Sequence, residues 1–177
     1  LNLEQRIIDG AQEGDAFTLD FDTLEAEVIS EDLSDPQGVA CSGDRAWVAG
    51  FDGALIEVNL GTGDATPVML NFSQHKEPPL GGLFAPMVFD PWRDALYYLD
   101  INSESLRQIK IDTGVVKTIA GPKDPVADRD GTLETARFGI LYDIVATERG
   151  WIVADPEYGK VKRVITEGDD AGVKTLI

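Results

Sequence analysis

Apolar and polar positions alternate one by one through most of the chain. Phe17, Leu19 and Phe21 alternate with Thr18, Asp20 and Asp22, a spacing that sets one face of a strand in a core and the other in water. A turn at Asp22-Thr23 leads to a second strand over 26–29. The same hairpin returns as Ile56, Val58 and Leu60, a Gly61-Thr62-Gly63 turn, and a strand ending at Val68-Met69. It returns as Ile109 and Ile111, Thr113-Gly114, and a β-branched run over 115–119. The last copy has Val161 and Val164-Ile165, then Gly168-Asp169-Asp170 and a strand over 173–177. Val116-Lys117-Thr118-Ile119 and Val173-Lys174-Thr175-Leu176 match almost residue for residue.

Ahead of each of these three later hairpins lies another. Pro36 to Ala40 leads through Gly43-Asp44 to Ala46-Trp47-Val48-Ala49-Gly50; Pro86 to Asp90 leads through Pro91-Trp92-Arg93-Asp94 to Leu96-Tyr97-Tyr98-Leu99-Asp100; Leu141 to Ala146 leads through Glu148-Arg149-Gly150 to Trp151-Ile152-Val153-Ala154-Asp155. The three spans have equal length. Each unit therefore predicts four short antiparallel strands, the inner two apolar on both faces. Such a sheet cannot bury both faces alone and must stack on its neighbours, and self-similarity at this period points to an all-β propeller, present as a partial or small ring. The expected units are 33–80, 81–135 and 136–177, preceded by a half unit at 15–32 and an N-terminal extension at 1–14 that reads equally as a short helix or an incoming strand. Val88, Leu96, Tyr98, Ile144, Ile152 and Val153 are expected between blades, so that Ile152→Ala would cost about 2 to 5 kcal/mol. An open array also leaves its end faces without neighbours, with apolar side chains expected around Trp151, Val153 and Val161 and an unpaired edge on the final strand.

The copies resemble NHL repeats. Thr118-Ile119-Ala120-Gly121, then Asp130-Gly131 and Ala136-Arg137-Phe138, are similar to that family's junction between blades; 96–100 and 151–155 are similar to its second strand, with Gly50 standing where Asp is expected in the first unit. The resemblance covers about residues 33–177 and implies a propeller of about six blades when complete. The chain is thus a fragment, an unusually small ring, or half of a ring completed by another chain. The resemblance also implies two functional classes. One is a non-enzymatic interaction module or assembly subunit that binds protein through a propeller face. The other is a fragment of a six-bladed NHL-like enzyme (lactonase, strictosidine-synthase-like or amidating-lyase-like) whose site needs further blades.

Composition narrows the partners. Asp and Glu number 32 against 15 Lys and Arg, a net charge of −17. Nucleic acid binding relies on Lys and Arg displacing counterions, and the nearest basic group, Lys160, Lys162 and Arg163, is flanked by Glu157 and Glu167. Nucleic acid is excluded, and no apolar run reaches the ~18 residues of a membrane span. Hydrophobic content of 43 % is that of a globular chain. The chain starts at Leu1 rather than Met, which suggests a processed or excised form. Cys41, the single cysteine, excludes an intrachain disulfide and reads as a buried thiol.

Little of the chemistry points to catalysis. Asp100 and Asp155 each close an inner strand, where a short carboxylate caps the amides of the next turn. Asp124, Asp128, Asp130 and Glu134 form an acidic loop but lack the alternate spacing of a calcium loop. His75 is the single histidine, too few for a zinc lyase, and Asn59, Asn71 and Asn102 stand away from inner-strand starts. No catalytic residue, metal or cofactor is expected. The remaining candidate is a surface. Loops joining strands two and three, and those joining blade to blade, emerge at one end and carry Phe51, Asp52, His75, Ile101, Asn102, Asp128, Arg129 and Tyr158. Exposed aromatics beside polar rims suit a protein partner or a second copy of the chain.

Overall fold

The computed structural model describes residues 16–19, 26–30, 36–50, 53–68, 70, 86–121 and 128–177, and every regular element among them is a strand. β1 (Ala16–Leu19) pairs antiparallel with β2 (Ala26–Ser30). Three four-stranded antiparallel sheets follow. The first holds β3 (Pro36–Ser42), β4 (Arg45–Gly50), β5 (Leu55–Asn59) and β6 (Ala65–Pro67). The second holds β7 (Met87–Asp90), β8 (Ala95–Asp100), β9 (Ser105–Ile109) and β10 (Val116–Ala120). The third holds β11 (Asp143–Thr147), β12 (Gly150–Asp155), β13 (Lys160–Ile165) and β14 (Gly172–Thr175). In each sheet the strands lie in chain order, and the first strands β3, β7 and β11 lie beside one another. The sheets fan from a shared inner edge as propeller blades, as the alternation predicts.

Two cores hold the blades together. Ala40, Trp47, Ala49 and Leu55 of the first blade meet Met87, Leu96, Tyr98, Ile109 and Val116 of the second, with the Trp47 ring stacked on Phe89 at 5.3 Å. On the second blade's other face, Ala95, Tyr97, Leu99, Leu106 and Ala120 meet Ile144, Trp151, Val153, Val164 and Val173. There the Tyr97 and Trp151 rings are 4.2 Å apart. Burial raises the Tyr97 hydroxyl to about 12, with Asp90 adding to the effect, and that hydroxyl accepts a hydrogen bond from Gln108. At the β7–β8 turn, Arg93 lies over the Trp151 ring at 4.8 Å and donates to the carbonyls of Thr147 and Glu148. This ties the second blade's first turn to the third's.

The junction signature has a steric cause. Gly121 ends β10 at φ 73°, and a Cβ there would fall on the Phe138 ring and within 2.7 Å of the Glu104 carbonyl oxygen. Phe138 and Ala136 are buried against the strand they follow. Only glycine permits both the left-handed turn and that approach.

Four expectations need correction. Val88 is half-buried, packed at the margin of the second core. Ile152 is also half-buried: it lies opposite Val145 and Arg163, on the third blade's outward face, which no other described blade covers. Trp151 and Val153 are fully buried instead, so the apolar residues of that end face are Val145, Ile152 and Val161. Cys41 is exposed, because β3 turns Val39 and Cys41 to the face away from Trp47. Ile152→Ala should therefore cost only about 1 kcal/mol in the monomer, measured by urea unfolding at high dilution. A loss of the size expected of a core position would contradict this placement.

Candidate functional site

The carboxylates that close the second strands organise the loop end. Asp100 accepts from the Ser103 amide at 3.1 Å and pairs with Arg107, whose Nη1 lies 3.3 Å from Oδ2 and also donates to the Tyr98 hydroxyl at 3.0 Å. In the third blade Asp155 accepts from the Gly139 amide at 2.8 Å. In register, Arg107 opposite Tyr98 corresponds to Lys162 opposite Val153 and to Ile56 opposite Val48. The cation and the closing carboxylate occur together in blades two and three and are replaced together, by Ile56 and Gly50, in blade one. In blade two the closing carboxylate is itself the cation's partner, whereas in blade three Lys162 pairs with Asp128 and Asp130. Both Arg107 and Lys162 are fully buried.

The β10–β11 connection is latched across the third blade by the same chemistry. Lys162 Nζ lies 2.6 Å from Asp128 Oδ1 and 3.1 Å from Asp130 Oδ1, and Lys160 pairs with Asp128 as well. Asp130 also accepts from the amide and the hydroxyl of Thr175, each at 2.8 Å. Gly131 bridges to Val173, and Arg129 to Arg137. Two lysines thus offset the two carboxylates read in sequence as part of an acidic loop. Among the described residues no group of three or more His, Cys, Asp or Glu is placed to hold a metal.

These pairings set the acid response. Burial alone would raise Asp128 and Asp130, but Lys160 and Lys162 outweigh it for Asp128, as Thr175 and Lys162 do for Asp130, and both sit below the usual carboxylate value. Asp155 is raised, first by burial and further by the Asp128 charge, against the Gly139 and Tyr158 amides. A lowered carboxylate contributes stability that is complete above the unfolded value of about 4 and is lost as pH falls through the folded one. A raised one acts oppositely, just above that window. The melting temperature should fall as pH drops below about 4, and Asp130→Asn should shrink that fall. An unchanged acid slope in the variant would count against the latch.

Of the residues singled out in sequence, Phe51, Asp52 and His75 lie outside the described residues. Ile101 is half-buried, Asn102 is exposed, and the exposed Arg129 uses its guanidinium on the Thr135 carbonyl. Asp128 is mostly buried in the latch, and Tyr158 is 40 % exposed in the β12–β13 turn. Tyr158 lies beside Gly139, and the chain that follows exposes two residues outside the expected set, Ile140 (36 %) and Tyr142 (61 %). Gly139 approaches so closely that a Cβ would lie 2.8 Å from Tyr158 Cδ2, and the Ile140 amide donates to Glu157 at 3.0 Å. Tyr142 follows where the chain enters β11, its amide bonded to Ala154. Their signal in sequence was Ile140-Leu141-Tyr142 ahead of an inner strand, hidden in an apolar run. Lys162 was equally hidden, since nothing marks a lysine between β-branched neighbours as inward-facing.

No family model matches the chain, and no curated protein matches it. Solved β-propeller structures do. A Bacteroides thetaiotaomicron protein of unknown function superposes with TM-score 0.76 at 16 % identity, over 93 % of this chain and 42 % of its own. An auxiliary nutrient binding protein of the same organism gives 0.68 at 12 %, over 90 % and 40 %. A nidogen/laminin complex gives 0.64 at 14 %, over 94 % and 59 %. These likenesses establish the fold: the chain is an arc of β-propeller blades. It spans less than two thirds of each of those chains.

Proposed function

We propose that the chain is an NHL-type, non-enzymatic binding module that engages a protein partner at the loop end of its blades. The observation that carries this is the exposure of Ile140, Tyr142 and Tyr158 at the loop end, with the Gly139 and Ile140 amides held by Asp155 and Glu157. Tyrosine suits such a role because it offers a large contact area with few rotatable bonds, and apolar side chains held on fixed backbone lose little entropy when a partner covers them. The carboxylates described nearby are engaged in structural pairs. Two of the similar structures fit a binding role in their own names, a nutrient binding protein and a nidogen/laminin complex.

The test places a photo-reactive benzoylphenylalanine at position 142 and, as control, at the exposed position 170. Covalent adducts are identified by mass spectrometry, and affinity is measured with the purified partner. The expected result is one adduct specific to position 142, with binding weakened about 30-fold or more by Tyr142→Ser with Tyr158→Ser at unchanged melting temperature. Equal labelling from both positions, or unchanged affinity in the double variant, would overturn the reading.

A further inference from the structure

Three side chains converge beside Gly139 at the loop end of the third blade. A Cβ at Gly139 would lie 2.7 Å from Asp155 Oδ1, 2.7 Å from Glu157 Oε2 and 2.8 Å from Tyr158 Cδ2. Glu157 and Tyr158 are exposed, whereas Asp155 is fully buried behind them. Asp155 Oδ2 and Glu157 Oε2 accept from the Gly139 and Ile140 amides. Asp155 Oδ1, however, has no hydrogen-bond partner among the described residues. Two residues beyond Val153 in β12, Asp155 belongs to the face that packs on the second blade, and Gly139 to the connection between those blades. The cluster is therefore set by the junction of blades two and three.

Its negative charge is not offset. In the second blade the closing carboxylate Asp100 has Arg107 at 3.3 Å. In the third, Lys162 turns to Asp128 and Asp130, and Lys160 turns to Asp128. Among the described residues no cation pairs with Asp155 or Glu157. A buried carboxylate without a counter-charge is costly, and a cation arriving at Glu157 would offset that cost at short range. Tyr158 adds an aromatic ring, whose faces attract cations. We infer that this cluster is a recognition site for a basic side chain presented by the protein partner. The inference rests on the proposed binding role and specifies the partner's chemistry. Arginine fits best, because a planar guanidinium stacks on a tyrosine ring while donating to a carboxylate.

Nuclear magnetic resonance titration of the 177-residue chain tests the inference. The probes are a capped Gly-Gly-Arg-Gly-Gly peptide and the same peptide with citrulline, the neutral isostere of arginine. The arginine peptide should shift the Gly139 and Ile140 amides and the Tyr158 ring along one saturable curve. The citrulline peptide should bind at least about tenfold more weakly. Tyr158→Leu and Glu157→Gln should each weaken the arginine response about fivefold or more at unchanged melting temperature, since glutamine keeps an acceptor for the Ile140 amide. Asp169→Asn, in the exposed β13–β14 turn, should leave the response as it was. Equal responses to the two peptides, shifts spread evenly over the acidic surface, or an unchanged response in both site variants would overturn the inference. If a variant loses its fold, the comparison of the two peptides on the wild-type chain decides alone. Photo-crosslinking at position 142 separates this inference from the binding role. An adduct whose partner segment holds no Lys or Arg would overturn the inference and leave the role standing.

Discussion

Trp151→Ala is expected to lower stability by about 3 to 5 kcal/mol, a fall in melting temperature on the order of 10 °C for a chain of this size. The indole is 1 % exposed and occupies the middle of the second core. It meets Tyr97 at 4.2 Å and carries Arg93 over its ring at 4.8 Å. Truncation leaves a cavity between two stiff sheets that relax little, so both the transfer and the cavity costs apply. Arg93 also loses the ring it packs on while keeping its bonds to Thr147 and Glu148. Calorimetry or urea unfolding reads the effect. A loss near that of Ile152→Ala would mean that the second and third blades do not share a core.

The second large effect concerns a buried charge. Arg107→Met should cost about 3 to 5 kcal/mol, because it leaves the Asp100 carboxylate buried without its cation. Asp100 is 4 % exposed and closes β8, with its other oxygen held by Ser103. The blade-one arrangement suggests the rescue. Gly50 and Ile56 stand at the corresponding positions, so removing both charges together, as Asp100→Gly with Arg107→Ile, should recover a substantial part of the loss. Unfolding curves of Asp100→Gly, Arg107→Ile and the two combined form a cycle that isolates the pair. Additive losses would show that Arg107 and Asp100 act independently.

The blades were legible in the sequence because alternation, turn residues and equal spacing agree at every copy. Gly121 and Phe138 were legible as a signature before their contact explained it. The faces of the inner strands were less so. Trp151 and Ile152 are adjacent, both are large and apolar, and only the position of the neighbouring blade decides that the first is buried and the second is not. Cys41 turned outward for the same reason, at the other end of the arc. At the loop end, Tyr158 is exposed as the turn reading expects, whereas Asp128 is drawn into ion pairs with Lys160 and Lys162. Tyr142 was not legible, because an exposed aromatic at the start of an inner strand has the same local pattern as a buried one. Lys162 was read as surface charge, since its partners Asp128 and Asp130 approach from a loop more than thirty residues away in the chain.

Three sheets stack face to face about their first strands, and aromatic contacts report that stacking most directly. Nuclear Overhauser measurements on selectively labelled protein should connect the Trp47 indole with the Phe89 ring, and the Trp151 indole with Tyr97. Those two pairs join successive blades and no single sheet contains either. Observation of both is the predicted result. Indoles that contact only residues of their own four strands would contradict the propeller arc.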